Sequence, residues 1–520
     1  MAEADTRQAA HFRQRAGEAA VAGDAEASLD AARRALLLVP ADPASGYYLS
    51  LSARTTGASS DAIRFAHWVM AALPGRFAVP LHRELFTLIG LAGDSIPALR
   101  RAALVVPGSG DGYYNIGNAE DRGGRPEGAL RSFGRADVTR PLHGGTLGNI
   151  ARIKALIIGS PDAGTAVRKA LCAAPADFLS LRHLGLWRRR KDDPDDAVRW
   201  FRRAVAVNPE SREAQGELGR ALMIVGRLQE GWRRLEYFRL PHWQPPIDGL
   251  PRWAGQHLAE GSLLLWSMDQ IGDELQFSIF LQRAVEAAGR VSLLVDPRNR
   301  ALFRDLYPEV RVIDSLDEAL SGDAGWSAAA CFPFDFVGCF FSREPQDLSE
   351  DGRERVLSKH RPRRDQARIG ISWWSGAPII GGLKSTDLGD WAEILKTPGC
   401  RFVSLQYGDG AEDLKAFPAI ESMPDFDPYG PTLYFAERVA ELDLVITVGN
   451  TTAHIAARTA TPVWVLLAAG LGPSWIWLRR GTRTPAYPNA RLFRQPEPGD
   501  WNSVFRQVQS DLSGWLNSRK

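Results

Sequence analysis

The chain has 520 residues, 45% hydrophobic and 24% charged, with a formal net charge of +2. That is an ordinary globular composition, long enough for two to four domains, and its near-neutral balance argues against a general nucleic-acid binder, which concentrates a basic face. The start, MAEADTRQAA, lacks a basic-then-apolar leader pattern, apolar stretches of about nine residues are too short to span a bilayer, and Cys172, Cys331, Cys339 and Cys400 form no CxxC pair. The expectation is a cytoplasmic protein with no transmembrane segment, disulfide framework or zinc site.

Residues 1–240 are rich in Ala, Arg and Leu and carry helical periodicity. Pro40, Pro74, Pro107, Pro141, Pro175 and Pro209 stand 34, 33, 34, 34 and 34 residues apart. That is the period of tetratricopeptide helix pairs, in which proline closes the second helix. In register with it, the fourth unit has Tyr113, Ile116, Gly117, Ala129, Phe133 and Ala136, and the sixth has Leu181, Leu184, Gly185, Ala197, Phe201 and Ala204. The small residues let two helices approach and the large ones fill the gap between them. The first, second and fifth units match least and are expected to be distorted. A last unit, with Leu218, Gly219, Gly231 and Leu235, has no closing proline, and its second helix, Gly231 to Arg239, is expected to dock on the second half of the chain. Such arrays stack into a superhelix with a groove suited to protein partners, or serve as scaffolds.

Residues 241–253 form a proline-rich linker, read as stiff and extended. Strands then alternate with helices. In residues 254–365 the expected elements are strand Leu263–Trp266, helix Glu274–Ala288, strand Val291–Val295, helix Arg300–Tyr307, strand Val310–Ile313 and a strand Ala328–Phe334. The charged stretch Lys359 to Arg368 reads as a hinge. In residues 366–520 they are strand Arg368–Trp373, helix Leu388–Leu395, strand Arg401–Leu405, helix Leu433–Glu441, strand Leu444–Val448, helix Ala453–Ala460 and strand Val463–Leu467. An amphipathic helix Trp501–Leu516 is placed across both parts. The whole is an α repeat superhelix followed by two doubly wound α/β domains facing a cleft.

Four turns where a strand meets a helix can carry chemistry. In SMDQIGDELQF, Gly272 supplies a tight turn; Asp273 either caps a helix in a box with Gln276 or is a carboxylate placed to take a proton from an acceptor hydroxyl. In ISWWSGAPIIGGLKSTDL, Trp373 and Trp374 leave a strand, and Lys384, the only cation between Arg368 and Lys396, precedes Ser385. It is either a solvated loop lysine or a point charge for a diphosphate. Gln406, Tyr407 and Gly408 offer an amide and a ring to a flat base, or form a plain strand exit. After Leu444–Val448, Gly449 allows a sharp exit, and Asn450, Thr451 and Thr452 open a helix that carries His454 on its first turn. Backbone N–H groups and hydroxyls at such a place suit phosphate. No metal-ligand spacing is visible, so charge neutralisation would fall to Lys384 and the helix start.

Together, IGDELQF, GISWW, LKSTDL, RFVSLQYG, LDLVITVGNTTAHIA, PVWVLL, Trp475–Trp477 and RLFRQPEPGDW resemble, in family order, the bacterial GT-B glycosyltransferases related to the ADP-heptose heptosyltransferases, in particular the group fused to tetratricopeptide repeats. The architecture is also similar to that of the O-linked N-acetylglucosamine transferases. The resemblance implies an inverting transferase with a nucleotide-sugar co-substrate and no required metal. It places the catalytic base at Asp273, the diphosphate-facing cation at Lys384, the donor-phosphate turn at Thr451, Thr452 and His454, and the base-side loop at Tyr407 and Gly408. It makes residues 254–365 the acceptor side and 366–520 the donor side. It implies a protein acceptor in the repeat groove, flagellin or another surface protein. Departures from the family pattern fall at Gly449-Asn450, where relatives often have Asp-Thr, and at Trp374 and Ile476, where many have a basic residue. They leave open a non-catalytic repeat adaptor, or a transferase acting on lipopolysaccharide or another glycan.

Overall fold

The computed structural model describes residues 2–39, 43–55, 96, 99–100, 110–158, 160, 162–239, 246–267, 270–320, 325–349, 356–358, 365–377, 380–407, 413–423, 427, 429–470 and 474–519. Pro40, Pro74, Pro107, Gly408, most of the stretch expected to form the third repeat, and most of the expected hinge lie outside them. The chain forms two compact units, Met1–His183 and Leu184–Lys520.

The first unit is built of helix pairs, as the 34-residue period requires. Ala2–Val21 pairs with Ala25–Leu38, and Gly110–Arg122 with Pro126–Thr139. In the second of these pairs Gly117 has a steric role. A side chain there would put its Cβ 2.6 Å from Phe133 Cε1, so the fully buried Phe133 ring seats directly on the opposite helix. The next pair is distorted, as expected, because helix Gly144–Arg152 widens into a π-type turn over Ile153–Ile158 before helix Ala163–Ala173.

The second unit contains both parallel sheets and, packed with them, the last repeats. Helix Pro194–Val207 follows Phe178–Arg190, and its Phe201 takes the place against Gly185 that Phe133 takes against Gly117. Helices Arg212–Ile224 and Leu228–Arg239 cross so closely that a Cβ on Gly219 would lie 3.0 Å from the Gly231 carbonyl oxygen. The second of these begins three residues before the expected Gly231 and docks as anticipated. Trp232 is buried among Phe277, Phe336 and Trp475, and its indole N–H donates to Ser342 Oγ at 2.6 Å. Met223, Leu228 and Trp232 share one apolar core with the α/β elements. The linker ends inside that core: Pro251 to Trp253 runs beside the fourth strand, with Trp253 N donating to Cys331 O (3.0 Å).

The first sheet has strands β1 (Ser262–Trp266), β2 (Val291–Leu294), β3 (Arg311–Ile313) and β4 (Ala328–Pro333), all parallel, in the order β3-β2-β1-β4. The second has β5 (Ala367–Ser372), β6 (Cys400–Ser404), β7 (Leu444–Val448), β8 (Val463–Leu467) and β9 (Ala490–Arg494), also parallel, in the order β6-β5-β7-β8-β9. The winding reverses between β1 and β4 and between β5 and β7. Ligands bind beyond the strand ends at such points. β9 was not expected, because Arg491 and Arg494 interrupt its apolar run; Arg491 instead spreads over the Trp464 and Phe493 rings.

Helix Glu274–Ala288 of the sequence reading is two helices, Ile271–Phe277 and Leu281–Ala288, joined by a tight turn at Ser278–Phe280. Segment Leu388–Leu395 is likewise a 3₁₀ turn followed by one helical turn. The helix expected at Ala453–Ala460 starts at Thr451 and stops at Ala457. The C-terminal helix, Trp501–Arg519, was placed across both α/β parts. Instead it lays Val504, Phe505, Val508 and Leu512 on the second sheet's outer face, in a core with Ile369, Trp391 and Trp464. No helix among the described residues is long and apolar enough to cross a membrane.

Candidate active site

Strand β1 ends at Trp266 and β7 at Val448, and the helices that follow, Ile271–Phe277 and Thr451–Ala457, pack against each other. Gly272 meets Thr451 at this contact. It lies within its helix rather than in a tight turn, and a Cβ there would stand 3.1 Å from Thr451 Oγ1. The absent side chain therefore serves the helix contact. Asp273 is not the cap the sequence allowed. Gln270 holds that position, Asp273 is the third helical residue, and Gln276 accepts from Ser474 Oγ instead of closing a box. The Asp273 carboxylate is thereby left on the cavity side of the helix.

Two cavities open along this helix. One, of about 420 Å³, lies between the sheets. Gln270, Ile271, Gly272 and Arg298 line it from the first α/β part, and Tyr407, Tyr429, Thr432 and Thr451 from the second. The other, of about 340 Å³, has Asp273 in its wall, with Asp335 beyond the end of β4. Its remaining walls are Arg189, Arg220 and Trp232 of the last repeats and Ile380 and Trp475 of the second α/β part. Lys384 lines neither cavity but interacts electrostatically with Asp273. Burial lowers its pKa, and the Asp273 carboxylate pulls it back up.

The predicted donor residues separate into those that face a cavity and those that build its frame. Tyr407 and Thr451 face it and are hydrogen-bonded to each other; burial pushes the Tyr407 phenol up, against the Thr451 bonds. Gln406 does not offer its amide to a ligand. Its Oε1 accepts from Trp373 N (2.8 Å), Trp374 N (2.9 Å) and Ser372 Oγ (3.1 Å), and its Nε2 donates to Tyr407 O (2.8 Å). Asn450 is the helix cap and spends its Nδ2 on Ser372 Oγ (2.8 Å) and Trp374 O (3.0 Å). Ser385 Oγ accepts from Ser375 N (2.9 Å) and donates to Gly381 O (2.8 Å), which closes the loop that carries Lys384. Trp373 is fully buried, with its indole N–H on Asp413 (3.1 Å). Trp374 is half-buried against Gly376, and Gly449 packs against Leu467. Thr452 is also buried, and its hydroxyl has no hydrogen-bond partner among the described residues.

His454 departs furthest from its expected role. It is buried beside Trp477, with Nδ1 2.9 Å from Tyr487 OH. Burial, with Lys384 and Arg458 nearby, lowers its pKa to about 3. It is a neutral core histidine at physiological pH and supplies no charge to a phosphate.

Three residues outside the expected set bear on the site. Arg298, after β2, lines the larger cavity; its ion pair with Asp296 (3.1 Å) raises its pKa and lowers that of Asp296. Glu274 is buried and ties the helix to the same loop, accepting from Asn299 Nδ2 (2.6 Å) and Asp296 N (2.9 Å). Burial pushes its carboxyl up against those bonds. Asp335 follows β4. Polar residues just past buried parallel strands were the available signal. The two α/β parts are fastened at this edge. Thr432 donates through N and Oγ1 to Arg298 O (2.9 Å each), and Arg458 Nη2 donates to Ser278 Oγ (2.6 Å). Among the described residues no three His, Cys, Asp or Glu side chains gather as metal ligands.

No family model matches the chain. Protein FlbA of Caulobacter vibrioides is 28% identical over 333 residues, which are 57% of this chain and 54% of that protein. The chain thus spans about half the length of this curated relative. Among solved structures it is similar to YrrB, a TPR protein with an unusual peptide-binding site, at 20% identity and a TM-score of 0.29, over 35% of this chain and 97% of that one. It is also similar to MamA, at 15% identity and a TM-score of 0.25, over 40% of this chain and 94% of that one.

Proposed function

We propose that the second unit is an inverting glycosyltransferase of the GT-B kind, which moves a sugar from a nucleotide donor to a hydroxyl, on a protein acceptor presented from the repeat side. One observation carries this reading: the two cavities share helix Ile271–Phe277, with Gly272 in the wall of one and Asp273 in the wall of the other. The larger cavity would take the donor. Its Tyr407 and Tyr429 rings, 6.2 Å apart and edge-on, suit a flat base, while Arg298 and the Thr451 hydroxyl suit phosphate oxygens. The smaller cavity would take the acceptor, because the last repeats form its outer wall.

In this scheme Asp273 accepts the proton of the acceptor hydroxyl as the oxygen attacks the anomeric carbon. Lys384, beside Asp273, meets the charge that develops on the departing phosphate. Gln406, Asn450 and Ser385 hold the Trp373–Trp374 backbone and the lysine loop in place.

The test is a thermal-shift screen of the purified chain against a panel of sugar nucleotides, followed by a transfer assay with the donor found. A stabilising donor whose effect is lost in Lys384→Ala, with transfer abolished in Asp273→Asn while donor stabilisation persists, supports the reading. Absence of stabilisation by any nucleotide or sugar nucleotide removes it in favour of a non-catalytic adaptor.

A further inference from the structure

The first unit holds a cavity of its own, of about 380 Å³, walled by helices Gly110–Arg122 and Pro126–Thr139 and by Arg100. Its charge is unbalanced. Glu120 is buried in its wall, but that carboxylate is already satisfied: Arg100 Nη2 donates to one oxygen at 2.8 Å and Ser132 Oγ to the other at 2.7 Å. Arg131 and Arg135 are exposed and line the same cavity, and neither has a carboxylate partner among the described residues. They lie four residues apart on one helix face, a spacing at which like charges repel. Arg135 rests over the Tyr113 ring, 5.6 Å from its centre, which holds the guanidinium at the rim.

We infer that this cavity is a docking site for an acidic segment of a partner protein. The two guanidinium groups take carboxylates, each able to bind in a two-pronged fashion. Tyr113 and Ile116 supply the apolar floor for the side chain between them. The volume lies within the range of sites that enclose small ligands or a few side chains. The site is independent of the transfer chemistry, since its residues all belong to Met1–His183.

The experiment is fluorescence anisotropy with the full-length chain and three fluorescein-labelled peptides that share an apolar core and differ only in flanking Glu, Gln or Lys. The Glu peptide should bind at least about tenfold more tightly than the Gln peptide, lose affinity as salt rises, and lose binding in Arg131→Gln/Arg135→Gln. Both positions are exposed, and an unchanged melting curve for this variant confirms that it folds. Arg168→Gln, on the exposed face of another repeat, should bind like the wild type. The inference is overturned if the Glu and Gln peptides bind alike, if neither binds, if the double variant keeps full affinity, or if a labelled single-stranded oligonucleotide binds as tightly as the Glu peptide. No sugar transfer is read in any arm, so this result stands apart from the outcome of the donor screen.

Discussion

Trp232→Ala tests whether the last repeat is part of the α/β unit or a removable arm. The indole is 2% exposed and touches Phe277, Phe336 and Trp475, with ring centres 6.2, 6.2 and 5.7 Å away. Truncating a buried aromatic ring of this kind costs about 3–5 kcal/mol. The lost N–H bond to Ser342 contributes about 1 kcal/mol of that kind of loss, softened because Ser342 Oγ keeps its own bond to Gly338 O (3.0 Å). For a unit of this size, about 2 °C per kcal/mol gives a melting point lowered by roughly 5–10 °C. Trp232→Phe keeps most of the packing and should recover more than half of the difference. Differential scanning fluorimetry and urea unfolding read the effect. A Trp232→Ala protein that melts within about 1 °C of the parent would show that the helix contributes no packing worth the transfer free energy of an indole, and the integrated unit would have to be abandoned.

Three further outcomes follow from the site. His454 stays neutral in the fold down to about pH 3, whereas the unfolded chain protonates it near 6.5. The unfolded state therefore binds the extra proton, and stability falls as pH drops through that window, by about 2 kcal/mol between pH 8 and pH 5. His454→Gln should flatten this part of the curve in urea titrations at pH 8, 6.5 and 5. Gly272→Val wedges a side chain against Thr451 and should weaken donor binding by about fivefold or more, the equivalent of 1–3 kcal/mol of overpacking; calorimetry with the donor checks it. Arg298→Ala should reduce donor-induced stabilisation while leaving the apo melting point within about 1 °C, since the ion pair it loses is partly exposed.

The sequence was most legible where a pattern repeats or a strand is wholly buried. The proline interval announced the helix pairs, and the apolar runs at β1, β7 and β8 announced parallel strands with boundaries accurate to a residue or two. It was least legible where one residue type serves two ends. Gln406 and Asn450 are polar residues at strand exits and Ser385 ends a helical turn in a loop, positions that are equally the signature of a ligand site and of a frame that satisfies buried backbone groups. Only the partner atoms decide, and in all three the partners are main-chain or framework groups. His454 failed for a related reason. It stands at the middle of the short helix Thr451–Ala457, and nothing local announces that Tyr487, 33 residues on, takes its Nδ1. The extent of the unit around the site was hidden too, because the docking of Trp232 on Ser342 joins residues 110 apart.

The departures from the family pattern acquire a physical meaning here. Ile476 is fully buried beside Trp477 in the apolar core. A cation at that point would have to be desolvated without a partner, which costs several kcal/mol, so the fold around Ile476 is built for an apolar residue. Gly449 packs against Leu467, and the Trp374 carbonyl is held by Asn450. None of the three lines the larger cavity. The positive groups stand elsewhere, with Arg298 entering from the first α/β part and Lys384 beside Asp273. Under the proposed function, Arg298 would meet a diphosphate from the first α/β part and Lys384 from the second. Under the same proposal, the burial of Glu274, which costs desolvation, has a use: it braces the loop that carries Arg298 against the helix that carries Asp273.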